Sequence, residues 1–232
     1  MVPEMLRDWI PNSKGERVRR IKADYKEYME WMKRKDYVIT DAPWNLNDKP
    51  PKVARQLDYE LWKSDIAGMI SIFENVRTDL LFVWVINAII QEMFEALFIY
   101  NWTQPDKSLH WRNKNKWCWR KMTNLGNEFY GTGWWNRNAS EELFIFSRSS
   151  CKPIGLSLKS HFPEMRKDKT VKPKLWEAVL LSKLEAANKR SGAYLFSGTD
   201  PDLSLFNTFD IDCVDIDFNK QNTPKETILT IR

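Results

Sequence analysis

At 232 residues and 43% hydrophobic content the chain is long enough for one sizeable core and short for two, so a single globular domain is expected. Its three cysteines, Cys118, Cys151 and Cys213, are odd in number and show no Cys-x-x-Cys spacing; with only His110 and His161 besides, they support neither a disulfide framework nor a metal site. The net charge of +5 is uneven: residues 197–232 carry seven acidic and three basic side chains, leaving 33 basic against 24 acidic on residues 1–196. A basic body with an acidic edge suits a nucleic-acid surface or an acidic partner, and equally an ordinary solvated surface.

In chain order, residues 1–22 are polar and basic, with Pro3, Pro11 and Gly15, and read as a basic arm ahead of a domain over residues 23–232. Tyr25, Tyr28, Met29 and Met32 recur at helical spacing between Asp24 and Lys35. A strand, Tyr37 to Thr40, follows, delivering Asp41-Ala42-Pro43-Trp44 at its carboxyl end. The NLNDKPPKVARQ stretch after it, with Pro50-Pro51 and scattered charges, excludes regular structure. Trp62, Ile66, Met69, Ile70 and Phe73 mark an amphipathic helix, with Ser64 as a candidate cap.

The run LLFVWV, Leu80 to Val85, has the continuous apolar character of a strand covered on both faces. Ile86 to Phe98 reads as the return helix and Ile99 to Thr103 as the next strand. The apolar stretch from Leu80 to Ile90 is broken by Asn87 and falls short of the about 20 residues a membrane helix needs. The amino terminus lacks the apolar centre of a signal peptide, so a soluble intracellular protein is expected. Later, LFIFSR is a further buried strand, KPKLWEAVLLSKLEAANK a helix with Pro173 in its first turn, and AYLFSG another strand. DIDCVDIDF lacks the glycine and closing glutamate of a calcium loop and reads as an exposed strand with a bulge. Strands alternating with helices imply an α/β sandwich with a mainly parallel sheet, whose ligands sit beyond the carboxyl ends of strands.

At such an end, the DAPW loop offers a carboxylate that can accept from an exocyclic amine, a proline that stiffens the turn, and an indole face for a planar base. Taken alone, the tetrapeptide reads more simply as a turn with a core tryptophan. The segment NWTQPDKSLHWRNKNKWCWRKM interleaves Trp111, Trp117 and Trp119 with Arg112, Lys114, Lys116, Arg120 and Lys121. Cations neutralise phosphates and indoles stack on bases, so the mixture suits a single strand or a flipped nucleotide; the same tryptophans equally suit a core or a partner interface. No Gly-x-Gly-x-x-Gly and no Ser or Cys arranged with His and an acid occurs, which disfavours dehydrogenase and hydrolase chemistry.

Several ordered stretches together resemble the mRNA adenosine methyltransferase family of the MT-A-seventy type, from about Asp24 to Phe218. Asp41 to Trp44 is similar to its Asp-Pro-Pro-Trp signature, LLFVWVINAIIQEMFEAL to the following strand and helix, and KMTNLGNEFYGTGWWNRNASEELFIFSRS to its Gly-rich substrate loop and next strand. Asp168 to Trp176, with Lys172-Pro173, is similar to the segment opening the later helix. The resemblance implies a class-I methyltransferase-like (Rossmann-like) sheet flanked by helices on both faces, S-adenosylmethionine as methyl donor, adenine N6 as target and a nuclear location. It also implies roles for Asp41, Ala42, Pro43 and Trp44 at the target amine, and for Asp24 and Lys172 at the cofactor.

The departures fall on the cofactor side. Where the family's strand offers Glu-Leu-Phe to the ribose, this chain has Tyr194-Leu195-Phe196, and where Gly-Arg follows it has Ser197-Gly198. An eroded cofactor pocket beside a retained signature resembles the family's degenerate paralogues. These pair with a catalytic methyltransferase, which binds the cofactor, as non-catalytic subunits that extend the nucleic-acid groove. The mild change at Ala42 leans the comparison toward DNA rather than RNA assemblies. The alternatives are an active methyltransferase with a variant DAPW motif, and a scaffold without nucleic-acid contact.

Overall fold

The structure, a computed structural model, describes residues 10–11, 17–22, 25–41, 66–129, 139–148, 159–165, 172–195 and 209–215, with Cys151 and Gly155. In chain order the elements are β1 (Ile10–Pro11), β2 (Arg17–Lys22), α1 (Tyr25–Trp31), β3 (Tyr37–Thr40), α2 (Ile66–Asn75), β4 (Leu80–Val85), α3 (Ile90–Thr103) after a short 3-10 turn (Asn87–Ile89), β5 (Trp111–Met122), β6 (Ser140–Arg148), β7 (His161–Met165), α4 (Lys174–Ala186), β8 (Ser191–Leu195) and β9 (Asp210–Asp215). They form one nine-stranded sheet in the order β1-β2-β9-β8-β3-β4-β6-β5-β7. The strands β2, β9, β8, β3 and β4 run parallel, and β6 is antiparallel to both β4 and β5. The amino end of β6 therefore lies at the carboxyl edge of β3 and β4.

Alternation along each strand divides the core in two. Val38, Leu81, Val83, Ala193, Leu195 and Val214 face α1, α2 and α3, whose Tyr28, Met69, Phe73, Met93 and Tyr100 complete the first half. Tyr37, Ile39, Phe82, Trp84, Tyr194 and Ile211 face α4, which adds Trp176, Leu180, Leu181 and Leu184. All six residues of β4 are buried, as its unbroken apolar run predicts. No helix among the described residues is long and apolar enough to cross a membrane.

Three expectations are corrected. Ile99 to Thr103 is the last part of α3, not a strand. Its aromatic, β-branched composition suits a strand, but Tyr100 continues the buried stripe of Met93, Ala96 and Leu97 and meets Phe73 at 6.2 Å. The helix stops where Gln104, extended ahead of Pro105, cannot stay helical. The Trp-rich basic segment is the long strand β5, anchored by Asn101, whose side chain donates to Trp111 O (2.8 Å) and accepts from Trp111 N–H (2.9 Å).

The acidic stretch at residues 210–215 is an interior strand in continuous register with β2 and β8, not an exposed bulged edge. Asp212, fully buried, is carried there by Tyr28, whose hydroxyl donates to it at 2.7 Å, and by Lys35 at 3.1 Å. Finally, part of the expected basic arm lies within the sheet, since Arg17–Lys22 pairs along its whole length with β9.

Candidate functional site

The carboxyl edge of the sheet gathers four charged side chains from four elements. Asp41 follows β3 and extends its pairing by one residue, its N–H donating to Leu195 O at 3.2 Å. Glu141 is the second residue of β6, brought to this edge because β6 runs backwards. Lys121 lies near the end of β5, opposite the start of β6, and its N–H donates to Ala139 O at 2.8 Å. Lys172 arrives from the far end of the chain, one residue before Pro173, the N-cap of α4.

The Lys172 ammonium donates to Asp41 Oδ1 at 2.9 Å and to Glu141 Oε2 at 2.7 Å. Lys121 holds the other oxygen of Glu141. Beneath the charges lies an aromatic floor. Lys172 Nζ is 5.1 Å from the Trp84 ring centroid and Lys121 Nζ 5.4 Å from that of Trp119, and both rings pack edge-on into the tryptophan cluster that ends on Trp176. Each cation thus has a carboxylate partner and an aromatic face.

The electrostatics follow from this sharing. Burial pushes the Asp41 carboxyl above the ordinary carboxylate range, against the opposing pull of Lys172, with Glu141 adding to the rise. Burial also acts against the charge on Glu141, but Lys172 and Lys121 together outweigh it and hold that carboxyl below its usual value. Lys172 is likewise penalised by burial, yet Asp41 and Glu141 raise its pKa, so it stays an ammonium. The cluster is a neutral network of two carboxylates and two ammoniums. Asp41 keeps 29% of its side-chain surface open to solvent and Lys172 24%, so it is reachable from outside.

Of the residues singled out from sequence, Asp41, Lys172 and Lys121 meet in this one network. Lys121, read as a nucleic-acid contact, is engaged here with Glu141. Ala42, Pro43, Trp44, Asp24 and Ser197 lie outside the described residues, as do the NLNDKPPKVARQ stretch, Ser64 and Asp168. Tyr194, at the position compared with a ribose-binding carboxylate, points into the core half under α4; its phenol is raised well above its ordinary pKa by burial first and then by Glu177.

Trp117 and Trp119 are 1% and 2% exposed, so neither offers a ring face to a base, which corrects the stacking reading. Trp117 stacks on Phe82, and Trp119 donates its indole N–H to Glu164 O at 3.0 Å. Arg112, Lys114, Lys116 and Arg120 are exposed, but Lys116 pairs with Glu142 at 3.0 Å and Arg120 with Glu128 at 2.6 Å. Sequence reasoning missed Glu141 and Trp84 as site residues. Their signals were present, as a carboxylate opening a buried strand and an indole near the end of another, but only the reversed direction of β6 brings them together.

No protein-family model and no curated protein sequence matches the chain. Among solved structures it is similar to the M1.HpyAVI-SAM complex, with a TM-score of 0.53 and 12% identity over 87% of this chain and 95% of that one. A second M1.HpyAVI structure matches at 12% identity over 87% of this chain and 94% of that one, with a TM-score of 0.49. The chain therefore has an α/β fold of the class-I methyltransferase type, with helices on both faces of its sheet.

Proposed function

We propose that this chain is a methyltransferase-like, non-catalytic subunit of an adenine-N6 methyltransferase complex, contributing fold support and a basic nucleic-acid surface to a catalytic paralogue. The observation that carries the reading is the engagement of Lys172, which the family resemblance assigns to the cofactor and which here bridges Asp41 and Glu141. The carboxylate that the same resemblance assigns to the target amine is thereby committed as well. At β8 the described residues fit a cofactor ribose poorly, since Tyr194 and Leu195 are both buried and neither carries a carboxylate. SAM is bound by the similar M1.HpyAVI in its complex, and the partner subunit would hold it in this assembly.

With Trp117 and Trp119 buried, nucleic-acid contact rests on Arg112, Lys114, Lys116 and Arg120 as phosphate partners. DNA stays ahead of RNA only through the mild change at Ala42, and a nuclear location follows from the family alone. Calorimetric titration with S-adenosylmethionine is the direct test: no binding by the isolated chain, with binding by the reconstituted pair, is expected. Tight binding by the isolated chain would sink the proposal. Neutralising Arg112, Lys114, Lys116 and Arg120 to Gln should lower nucleic-acid affinity and flatten its dependence on salt by up to roughly 0.9 per lost phosphate contact. Unchanged affinity and slope would favour a scaffold role.

The second reading, an active enzyme, is favoured by the position of Asp41 at the carboxyl end of β3 with part of its surface open. In that case positioning of the amine rather than proton transfer would dominate. Asp41→Ala in the reconstituted complex distinguishes them: methylation abolished with assembly intact supports the active enzyme.

A further inference from the structure

Lys172 satisfies from within the chain what has the form of a receptor for a cation. Its ammonium lies 2.9 Å from Asp41, 2.7 Å from Glu141 and 5.1 Å from the centre of the Trp84 ring. Two carboxylate oxygens and an aromatic face are the groups that hold a protonated amine, the first by charge-assisted hydrogen bonds and the second by its quadrupole.

The charge balance points the same way. Glu141 keeps Lys121 as a second partner, so the four side chains together are neutral and subtracting Lys172 leaves one uncompensated negative charge in a half-buried place. The cage walls do not depend on the lysine. Asp41, Trp84 and Glu141 stand on or directly follow β3, β4 and β6, neighbouring strands whose pairing fixes their spacing. Lys172 instead reaches them from the approach to α4, outside the sheet.

We propose that Asp41, Glu141 and Trp84 form an ammonium-binding cage which Lys172 occupies as a built-in ligand, and which takes a primary alkylammonium ion once the lysine is removed. The proposal goes beyond the functional reading above, because it requires no partner subunit, methyl donor or nucleic acid. A cationic ligand of the native chain would have to displace Lys172 from Asp41 Oδ1 and Glu141 Oε2 to enter the cage.

The test is thermal unfolding of the full chain carrying Lys172→Ala, titrated with n-propylammonium, whose three carbons and nitrogen replace the atoms lost beyond Cβ. The variant should melt below the wild type, and propylammonium should restore its Tm saturably with a midpoint of roughly 1–10 mM, as for a ligand of four heavy atoms. The wild type and Lys172→Ala/Asp41→Asn should not respond. Tetramethylammonium, with no N–H to donate, and sodium should not substitute at equal ionic strength. Rescue by sodium to the same extent, a matching shift in the wild type, or no rescue overturns the proposal.

Should Lys172→Ala not fold, acetylation of lysines in the folded wild type, read by mass spectrometry, decides it. Protection of Lys172 relative to exposed Lys114, lost in Asp41→Asn, is expected, and equal labelling of the two lysines in the wild type overturns it.

Discussion

Glu164 on β7 closes the amino end of α4 from outside the helix. Its Oε1 accepts from Leu175 N–H at 2.9 Å and its Oε2 from Trp176 N–H at 3.0 Å, while Pro173 at the N-cap supplies no side-chain acceptor. Glu164→Ala strands both donors and removes a negative charge from the positive end of the helix. The two losses differ: Leu175 is 70% exposed and its N–H can turn to water, whereas Trp176 is 7% exposed and sits in the aromatic cluster. About 1–2 kcal/mol is therefore expected, the range for losing an N-cap acceptor. For a chain of this size that lowers Tm by roughly 2–8 °C.

Glu164→Gln keeps an acceptor oxygen but not the charge and should fall between. Because Lys172 lies two residues upstream of α4, the same change should loosen it from Asp41 and Glu141. Circular-dichroism melting combined with acetylation of Lys172 measures both effects. A Glu164→Ala protein that melts with the wild type and keeps Lys172 protected would refute the idea that β7 clamps α4 and, through it, the site.

Gly192 leaves room for the Tyr37 ring: an added Cβ would lie 2.4 Å from Tyr37 Cζ, so Gly192→Ala should cost about 1–3 kcal/mol in urea unfolding, partly recovered by Tyr37→Leu. Asp212→Asn takes from Lys35, itself 5% exposed, its nearer carboxylate and leaves it Asp210 at 4.0 Å, so it should cost up to about 3–5 kcal/mol, with Lys35→Met in the same chain recovering much of it. Stability should also carry the titration of the charge network, measured as urea midpoints against pH. The folded pKa of Glu141 lies below its ordinary 4.5, so its contribution is present above that value and lost as pH falls through the lower folded one. Lys172 is raised, so its contribution is full below its ordinary 10.5 and lost as pH rises through the folded value, a loss that Lys172→Met should reduce. Asp41, raised by burial, opposes these: its ionised form costs stability at neutral pH, and its protonation on acidification recovers that part.

Much of the fold is legible because its signals are local. The strands at Tyr37–Thr40 and Leu80–Val85 coincide with the apolar runs that announce them, and Pro173 opens α4 as its place in the sequence implies. The candidate site was legible at Asp41 and Lys172, through resemblance, but not in the relation between them. No spacing rule joins an aspartate after the third strand to a lysine before the last helix.

Composition and periodicity by themselves determined the α/β class and the buried central strands, since each depends on neighbours within a few residues. The tertiary structure alone decided which long-range partners outweigh local preference. Tyr100 follows the core stripe of α3 rather than its strand-forming neighbours, and Trp117 and Trp119 of β5 turn inward under α4 while Lys116 and Arg120 turn to carboxylates. An aspartate-rich strand can lie inside the sheet because Tyr28, 184 residues away, and Lys35 meet its buried carboxylate. At the carboxyl edge, the reversal of β6 carries Glu141 to Lys172 and makes a cage from residues that no sequence pattern groups together. Burial decides these outcomes, because a charge or a ring withdrawn from water requires a partner wherever in the chain that partner lies.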